Sequence, residues 1–170
     1  MRTMKLLGGA RLEDESGIVT GPASHRHTLA LLALLAVARP SGISRGKLVG
    51  YLWPEVPEQT ARNRLSTLLH RARRTLGKDA IRSVKGELVL GSDAIDSDLQ
   101  TFRTALDRGD LEAAAASCPG PFMDGFFLEG STAFDQWLEA TRDEVRRRHR
   151  EVLEQLAEAG AAGGEWDKVA

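Results

Sequence analysis

The sequence has little cysteine and no long apolar run. Cys118 is the single cysteine of the 170 residues, so the chain can form neither an intramolecular disulfide nor a cysteine-based zinc cage. The longest uninterrupted apolar run, residues 29–38, has 10 residues where a membrane span needs about 20, and it lies too far from Met1 to be the core of a signal peptide. We therefore expect a cytoplasmic protein with no membrane partner.

Net charge is nearly absent as well, with 23 basic against 24 acidic residues. The length excludes a solenoid or a large multidomain enzyme, and 42% apolar with 28% charged residues is typical of a globular chain. The charges are unevenly distributed, because residues 1–90 carry 15 Lys/Arg and 7 Asp/Glu whereas residues 91–170 carry 8 and 17. We interpret the halves as two modules with different partners, the basic one binding a polyanion.

The basic half begins with a predicted small sheet and two helices. Apolar stretches separated by glycines and an acidic turn predict strands at residues 4–7, 10–13 and 18–20. Ser24 is a candidate N-cap for a helix that is apolar nearly all round and ends before Pro40, which places this helix in the centre of a core. A second helix is expected from Ser44 to about Trp53, because Pro54 disfavours helical torsions in the residue before it.

The segment from Pro57 to Leu76, closed by Gly77, is the most informative one. Its apolar side chains fall on one stripe about 100° wide, which predicts an amphipathic helix. That stripe consists of Ala61, Leu65, Leu68, Leu69, Ala72 and Leu76. The same segment contains five arginines and one acid, Glu58. An ordinary solvated helix mixes charge signs at i,i+4 spacing, so this charge pattern favours a helix that binds nucleic acid.

A hairpin pattern follows the basic helix, with strands at residues 81–84 and 87–90 around Lys85-Gly86. The predicted elements follow the order of a winged helix-turn-helix: sheet, central helix, second helix, loop, basic helix and hairpin. In that fold the basic helix enters the major groove. The base-reading candidates lie opposite the apolar stripe: Asn63, Ser66, Thr67, His70 and Arg74. The DNA-backbone candidates lie on the helix shoulders and the hairpin: Arg62, Arg64, Arg71, Arg73, Arg82 and Lys85.

The acidic half is predicted to be helical, at about residues 98–107, 110–117 and 132–159, with an irregular stretch at 119–130. The basic run at residues 146–150 has acids at i,i+4 spacing, so we interpret it as an ion-paired face and not as a second DNA contact. The predicted pairs are Asp143 with Arg147, Glu144 with Arg148, Arg147 with Glu151, and Arg150 with Glu154. An aromatic cluster favours a core over a ligand pocket: Phe122, Phe126, Phe127, Phe134 and Trp137.

The sequence contains few candidate residues for a metal site or a catalytic site. His25 and His27 could supply two metal ligands, but no third clusters nearby, and a helix start explains them better. No nucleophile elbow or paired-carboxylate spacing singles out a catalytic residue. We therefore expect no enzyme activity, no metal and no cofactor.

Several segments, taken in order, resemble one family of regulators. Residues 29–36, 48–54, 60–65 and 70–76 look like the OmpR-type DNA-binding domain of the SARP family (Streptomyces antibiotic regulatory proteins). Residues 95–102, 119–126 and 134–142 resemble the bacterial transcriptional activator domain (BTAD) that follows it in that family. The sequence departs from the family pattern at Ala72, where leucine is usual, and at Glu87 and Leu88, where an aromatic and a basic residue are common.

The resemblance implies an α+β winged helix-turn-helix over residues 1–92 and an all-α, TPR-like activator domain over residues 93–170. It implies a sequence-specific transcriptional activator that binds direct-repeat promoter sites as a side-by-side homodimer and recruits RNA polymerase. By the same resemblance, the polymerase contact is the loop of Trp53, Pro54, Glu55 and Val56. Residues 163–170 resemble the opening of a further helix in a longer regulator.

Two other functions stay open. Glu87 favours a protein-interaction scaffold, or a regulatory module of a larger signalling protein, in which DNA binding is weak or lost. The end of the sequence at Ala170 leaves room for a regulatory module of an enzyme whose catalytic part lies beyond it.

Overall fold

A computed structural model describes residues 1–163, which form two small β-sheets and six α-helices. The strands are β1 (Arg2–Lys5), β2 (Arg11–Asp14), β3 (Gly17–Ile18), β4 (Ile43–Ser44), β5 (Ile81–Val84), β6 (Glu87–Leu90) and β7 (Ile95–Ser97). The helices are α1 (Arg26–Val37), α2 (Arg45–Leu52), α3 (Glu58–Leu76), α4 (Asp98–Asp107), α5 (Leu111–Ala116) and α6 (Thr132–Gly163). The further helix expected at residues 163–170 lies, except for Gly163 at the end of α6, outside the described residues.

The first sheet joins the two halves of the sequence. Its strand order is β3-β2-β1-β7, with β1 antiparallel to β2 and parallel to β7. The pairing of Met4 with Ser97 brings the beginning of the acidic half onto the N-terminal sheet. The sequence pattern did not predict β7, because three residues carry too little alternation to indicate a strand.

The second sheet is the wing. Strands β5 and β6 form the predicted hairpin, and β4 adds an edge next to β6. Lys85 and Gly86 both have positive φ, of 50° and 84°, which is the backbone that a two-residue hairpin turn requires. The predicted hairpin is therefore confirmed in position and in length.

Helix α1 lies in the centre of the core. All nine residues from Thr28 to Ala36 are buried, and α2, α3, α4 and β6 all pack against this helix. The helix α4 that covers one side of it belongs to the acidic half. The buried apolar residues of the two halves form one continuous cluster within residues 1–163. The proposed boundary at residues 92 and 93 stays a prediction, as does the TPR-like packing of α4, α5 and α6.

Two local predictions are wrong for identifiable reasons. Ser24 does not cap α1, because it ends a 3₁₀ turn, Gly21–Ser24, and its hydroxyl donates to the Gly21 carbonyl; His25 occupies the N-cap position without a side-chain bond. The first strand ends at Lys5 and not at residue 7, because the next two amides bind a carboxylate instead of a neighbouring strand. The other two predicted strands of this sheet, β2 and β3, lie within two residues of their predicted positions.

That carboxylate is Asp98, a buried acid at the start of α4. Its Oδ1 accepts from Leu6 N at 2.8 Å and its Oδ2 from Leu7 N at 3.0 Å. Burial raises the pKa of Asp98 above its ordinary value, although the same backbone donors oppose that shift. Both oxygens are therefore used to hold the end of β1 against the first turn of α4.

The aromatic cluster is core with one exception. Phe122 and Phe134 are fully buried, Phe126 is 9% exposed, and Trp137 is half-buried against Phe134. Phe127 is 56% exposed, so its predicted place in the core is wrong. Its ring lies under the Arg26 guanidinium at 4.1 Å, a contact that the irregular backbone at residues 119–130 makes and that no periodicity could show.

We expect Asp98→Ala to lower the unfolding free energy by about 2–4 kcal/mol, because it leaves two buried N–H donors without an acceptor. Asp98→Asn keeps one acceptor oxygen and should cost less. Since the folded pKa of Asp98 is raised, the wild type should lose stability relative to Asp98→Asn as the pH rises from about 4 through the folded pKa. Urea denaturation of the three proteins at several pH values measures this, and equal stability of the alanine variant would contradict it.

Candidate nucleic-acid interface

Helix α3 presents one buried and one exposed face, as its sequence predicts. Ala61, Leu65, Leu69, Ala72 and Leu76 are buried, whereas Leu68 is half-buried at the edge of the stripe. The helix begins one residue after Pro57 and ends at Gly77, whose φ of 103° suits glycine. The core contacts therefore fix which side chains point outward.

All five base-reading candidates are exposed: Asn63, Ser66, Thr67, His70 and Arg74. We call this set the α3 ridge. The Asn63 side-chain oxygen accepts a bond of 3.1 Å from Gln59 Nε2, so the Asn63 amide nitrogen points its donors elsewhere. The ridge thus offers amide, hydroxyl, imidazole and guanidinium groups along one line of the helix, which are the groups that bind base edges.

The backbone candidates fall into three groups. Arg64, Arg71 and Lys85 are exposed. Arg62 and Arg82 are exposed too, but each is next to an acid: Arg62 Nη2 lies 2.6 Å from Glu58 Oε1, and Arg82 Nη2 lies 3.4 Å from Asp93 Oδ2. Arg73 differs from the others because it is half-buried.

Arg73 joins the helix to the wing. Its Nε donates to the Ile81 carbonyl at 3.0 Å, at the first residue of β5. This bond holds the hairpin beside the C-terminal half of α3, so Arg73 has a structural role. Sequence reasoning could not separate Arg73 from Arg74, because neighbouring residues on a helix differ by only about 100° in direction.

A cavity of about 440 Å³ lies along one flank of the ridge, between α3 and the start of α1. We call it the α1–α3 cavity. Its lining residues from α3 are Thr60, Asn63, Arg64, Thr67, Leu68 and Arg71. The others are Pro22, His25, Arg26, His27, Thr28 and Trp53. A second cavity of about 330 Å³ lies on the other flank, where Arg45 and Gly46 of α2 approach Arg62 and Ser66.

Sequence reasoning missed the residues that the start of α1 contributes to this flank. His25, Arg26 and His27 stand more than 30 positions before α3, and only the packing of α1 beside α3 brings them together. The run of three basic side chains at a helix start was the available signal. The same holds for Arg45 at the first turn of α2.

Part of the loop between α2 and α3 packs against the first turn of α1. The Trp53 indole is half-buried and stacks on the His27 imidazole, with ring centroids 5.4 Å apart and planes inclined by 8°. Burial, together with the nearby Arg64 guanidinium, lowers the pKa of His27. Pro54 and Glu55 are exposed and Val56 is half-buried. Of the four candidate polymerase-contact residues, Pro54 and Glu55 are therefore the most available.

The second basic run is an ion-paired face, as predicted. Arg147 contacts Glu151 at 2.8 Å and Arg148 contacts Glu144 at 3.7 Å, both at the expected spacing. Asp143 pairs with Arg146 and not with Arg147, which binds Glu144 instead. Within the described part of the chain, the predicted pair of Arg150 with Glu154 is not formed.

Metal-ligating side chains are not clustered in the described range. Among residues 1–163 there is no group of three or more His, Cys, Asp or Glu side chains that could hold a metal ion. Cys118 is buried, and burial raises the pKa of its thiol to about 11. No helix of the described chain is long and apolar enough to cross a membrane.

Comparison with known proteins identifies the fold. No family model matches the sequence, and no curated protein matches it. Among solved structures, the chain is similar to Mycobacterium tuberculosis EmbR in complex with a low affinity phosphopeptide, with a TM-score of 0.76 at 20% sequence identity. The match covers 99% of this chain and 48% of the EmbR chain. The chain therefore spans about half the length of EmbR and has the fold of that part.

We expect Arg73→Ala to lower the unfolding free energy more than Arg74→Ala does. The first removes the bond to Ile81 and should lower the unfolding free energy by about 1–2 kcal/mol. The second changes an exposed side chain and should leave stability within about 0.5 kcal/mol of the wild type. Thermal denaturation followed by circular dichroism measures both, and an equal loss in the two variants would place Arg73 outside the wing junction.

Proposed function

We propose that the chain is a sequence-specific DNA-binding transcriptional activator of the SARP type. The observation that carries the proposal is the α3 ridge, an exposed polar line on a helix whose opposite face is buried. Basic side chains lie on both flanks of this ridge, at the α1–α3 cavity and at the α2 side. A helix in the major groove meets base edges along its centre and a phosphate strand on either side, which is the arrangement that these residues suit.

The wing extends the same surface. Lys85 lies at the hairpin turn and Arg82 on the adjoining strand, both exposed. Because Arg73 holds the hairpin beside α3, the wing reaches the duplex together with the ridge. The fold shared with EmbR and the resemblance to the SARP family support this arrangement.

The remaining surfaces are assigned other roles. The exposed residues Pro54 and Glu55 are proposed to contact RNA polymerase, since they belong to the loop that leads into α3 and lie outside the ridge. The arginines of α6 are not proposed to touch DNA, because most of them bind acids of the same helix. In this proposal the protein acts in the cytoplasm and needs no cofactor.

Besides Glu87, the scaffold alternative has one structural observation in its favour. Arg62 and Arg82, two of the proposed backbone contacts, already face Glu58 and Asp93. Both pairs are exposed, however, and exposed ion pairs contribute only about 0–1 kcal/mol. Phosphate oxygens can therefore replace these acids at little cost, and we favour DNA binding.

Substitutions in α3 should divide into two classes. Asn63→Ala and Thr67→Ala should each cost about 1–3 kcal/mol on a duplex selected from a random-sequence pool, with little change on a scrambled duplex. Arg62→Ala and Arg71→Ala should each weaken binding to both duplexes alike. Each should also lower, by about one, the number of phosphate contacts calculated from the salt dependence of binding. Fluorescence anisotropy on the two duplexes separates the classes. If all four variants bind both duplexes as the wild type does, α3 does not enter the groove and the scaffold function is favoured.

The selected sites should be direct repeats. A single module buries roughly 600–1,000 Å² on DNA, so useful specificity requires a second copy. Two copies placed side by side in the same orientation put their α3 helices on one face of the duplex when repeat centres lie about 10–11 base pairs apart.

Footprinting on spacer variants measures this arrangement. Inserting about five base pairs turns the second repeat to the opposite face and should abolish cooperative binding. A full-turn insertion is the matched control and should restore binding only in part, because the protein contact is stretched. Equal cooperativity at every spacing, or a preference for inverted repeats, would contradict the side-by-side dimer.

A further inference from the structure

The α1–α3 cavity has a composition that the reading of base edges does not explain. Its volume of about 440 Å³ lies within the range of about 300–1,000 Å³ that is usual for small-molecule sites. Five of its side chains are basic, and they come from two different elements: His25, Arg26, His27, Arg64 and Arg71. Pro22, Trp53 and Leu68 provide an apolar wall.

Within residues 1–163, the positive charge of this cavity is not balanced by an acid. In that range no carboxylate lines the cavity, and neither Arg64 nor Arg71 forms an ion pair. Arg26 differs, because its Nη1 donates to the Phe127 carbonyl at 2.9 Å and its guanidinium lies over the Phe127 ring. Arg64 and Arg71 are thus the arginines of the cavity that have their donors available for an anion.

We propose that the α1–α3 cavity binds the phosphate group of a nucleotide, held by Arg64 and Arg71 of α3 and by His25 at the start of α1. Guanidinium groups match the oxygens of a phosphate in geometry and in charge. The space beside Trp53 and Leu68 accommodates the sugar or base to which the phosphate is attached, which a bare ion would leave empty.

Two sources share this chemistry. One is a phosphodiester of the DNA strand that passes the α3 ridge, and this source rests on the proposed function. The other is a free nucleotide, which does not depend on it. A free nucleotide here would compete with the duplex, because Asn63 and Thr67 belong both to the cavity lining and to the ridge.

His27 gives a direct signal from inside the cavity. Its imidazole stacks on Trp53, and burial with the nearby Arg64 lowers its pKa. His25, Arg26, Arg64 and Arg71 are the other charged or titratable groups that line the cavity. A phosphate among them supplies negative charge and should therefore raise the pKa of His27. The resonance of His149, which lies on α6 and does not line the cavity, should not move.

The test is a titration of the protein with adenosine monophosphate, with adenosine as the phosphate-free control, followed by imidazole resonances and by calorimetry. We expect saturable binding of the monophosphate with a shift of His27, and no response to adenosine. Arg64→Gln with Arg71→Gln should weaken binding about tenfold or more, since each removes a charge-assisted bond. Arg108→Gln removes the same charge at the exposed end of α4 and is the matched control.

A second arm uses a duplex in place of the mononucleotide. A His27 shift with the duplex alone, with a larger loss of duplex affinity in His25→Gln than in Arg108→Gln, assigns the cavity to the DNA strand. A shift with the monophosphate, and its displacement of the duplex, assigns the cavity to a free nucleotide. If neither ligand moves the His27 resonance, the inference is wrong. Duplex binding while neither ligand moves the His27 resonance overturns the inference alone, and monophosphate binding without duplex binding overturns the proposed function alone.

Discussion

The burial of helix α1 on all sides is the constraint on which the rest of the structure depends. Nine consecutive residues of this helix, Thr28 to Ala36, are shielded from water, so no face of it can be left uncovered. Helices α2 and α3 cover part of its surface and strand β6 another part, but α4 from the acidic half is needed as well. The two halves that differ so strongly in charge therefore share one apolar core.

Sharing that core creates helix ends that need hydrogen-bond partners away from water, and arginines supply them. Arg103 of α4 donates to the Ala36 and Val37 carbonyls at the end of α1, and Arg2 donates to the Thr75 and Leu76 carbonyls at the end of α3. Burial lowers the pKa of Arg103, yet the guanidinium stays charged because its ordinary pKa lies far above neutrality. These bonds fix the C-terminus of α3, and with it the direction in which the α3 ridge faces.

Much of this arrangement was predictable from the sequence where a pattern extends over several turns. The apolar stripe from Ala61 to Leu76 predicted which face of α3 is buried, and Lys85-Gly86 predicted the turn of the wing. The failures concern features that depend on a distant partner. Leu6 and Leu7 continue an apolar pattern but bind Asp98, 91 or more residues away, and Phe127 lies under Arg26 from another part of the chain. No local periodicity contains such information.

The same limit applies to the candidate interface, because arginine serves two purposes that the sequence does not distinguish. Arg73 and Arg74 are neighbours of identical chemistry, but one bonds to Ile81 while the other is exposed. Fewer basic side chains are therefore available to bind a polyanion than the first half of the sequence contains, because Arg2 and Arg73 form hydrogen bonds that stabilise the fold. The fold also places several of the other cations on both flanks of one polar ridge, including His25 and Arg26 at the start of a different helix. Basic residues that are far apart in the sequence thus form one surface with a polar centre and basic edges, which is the property that a groove-binding helix requires.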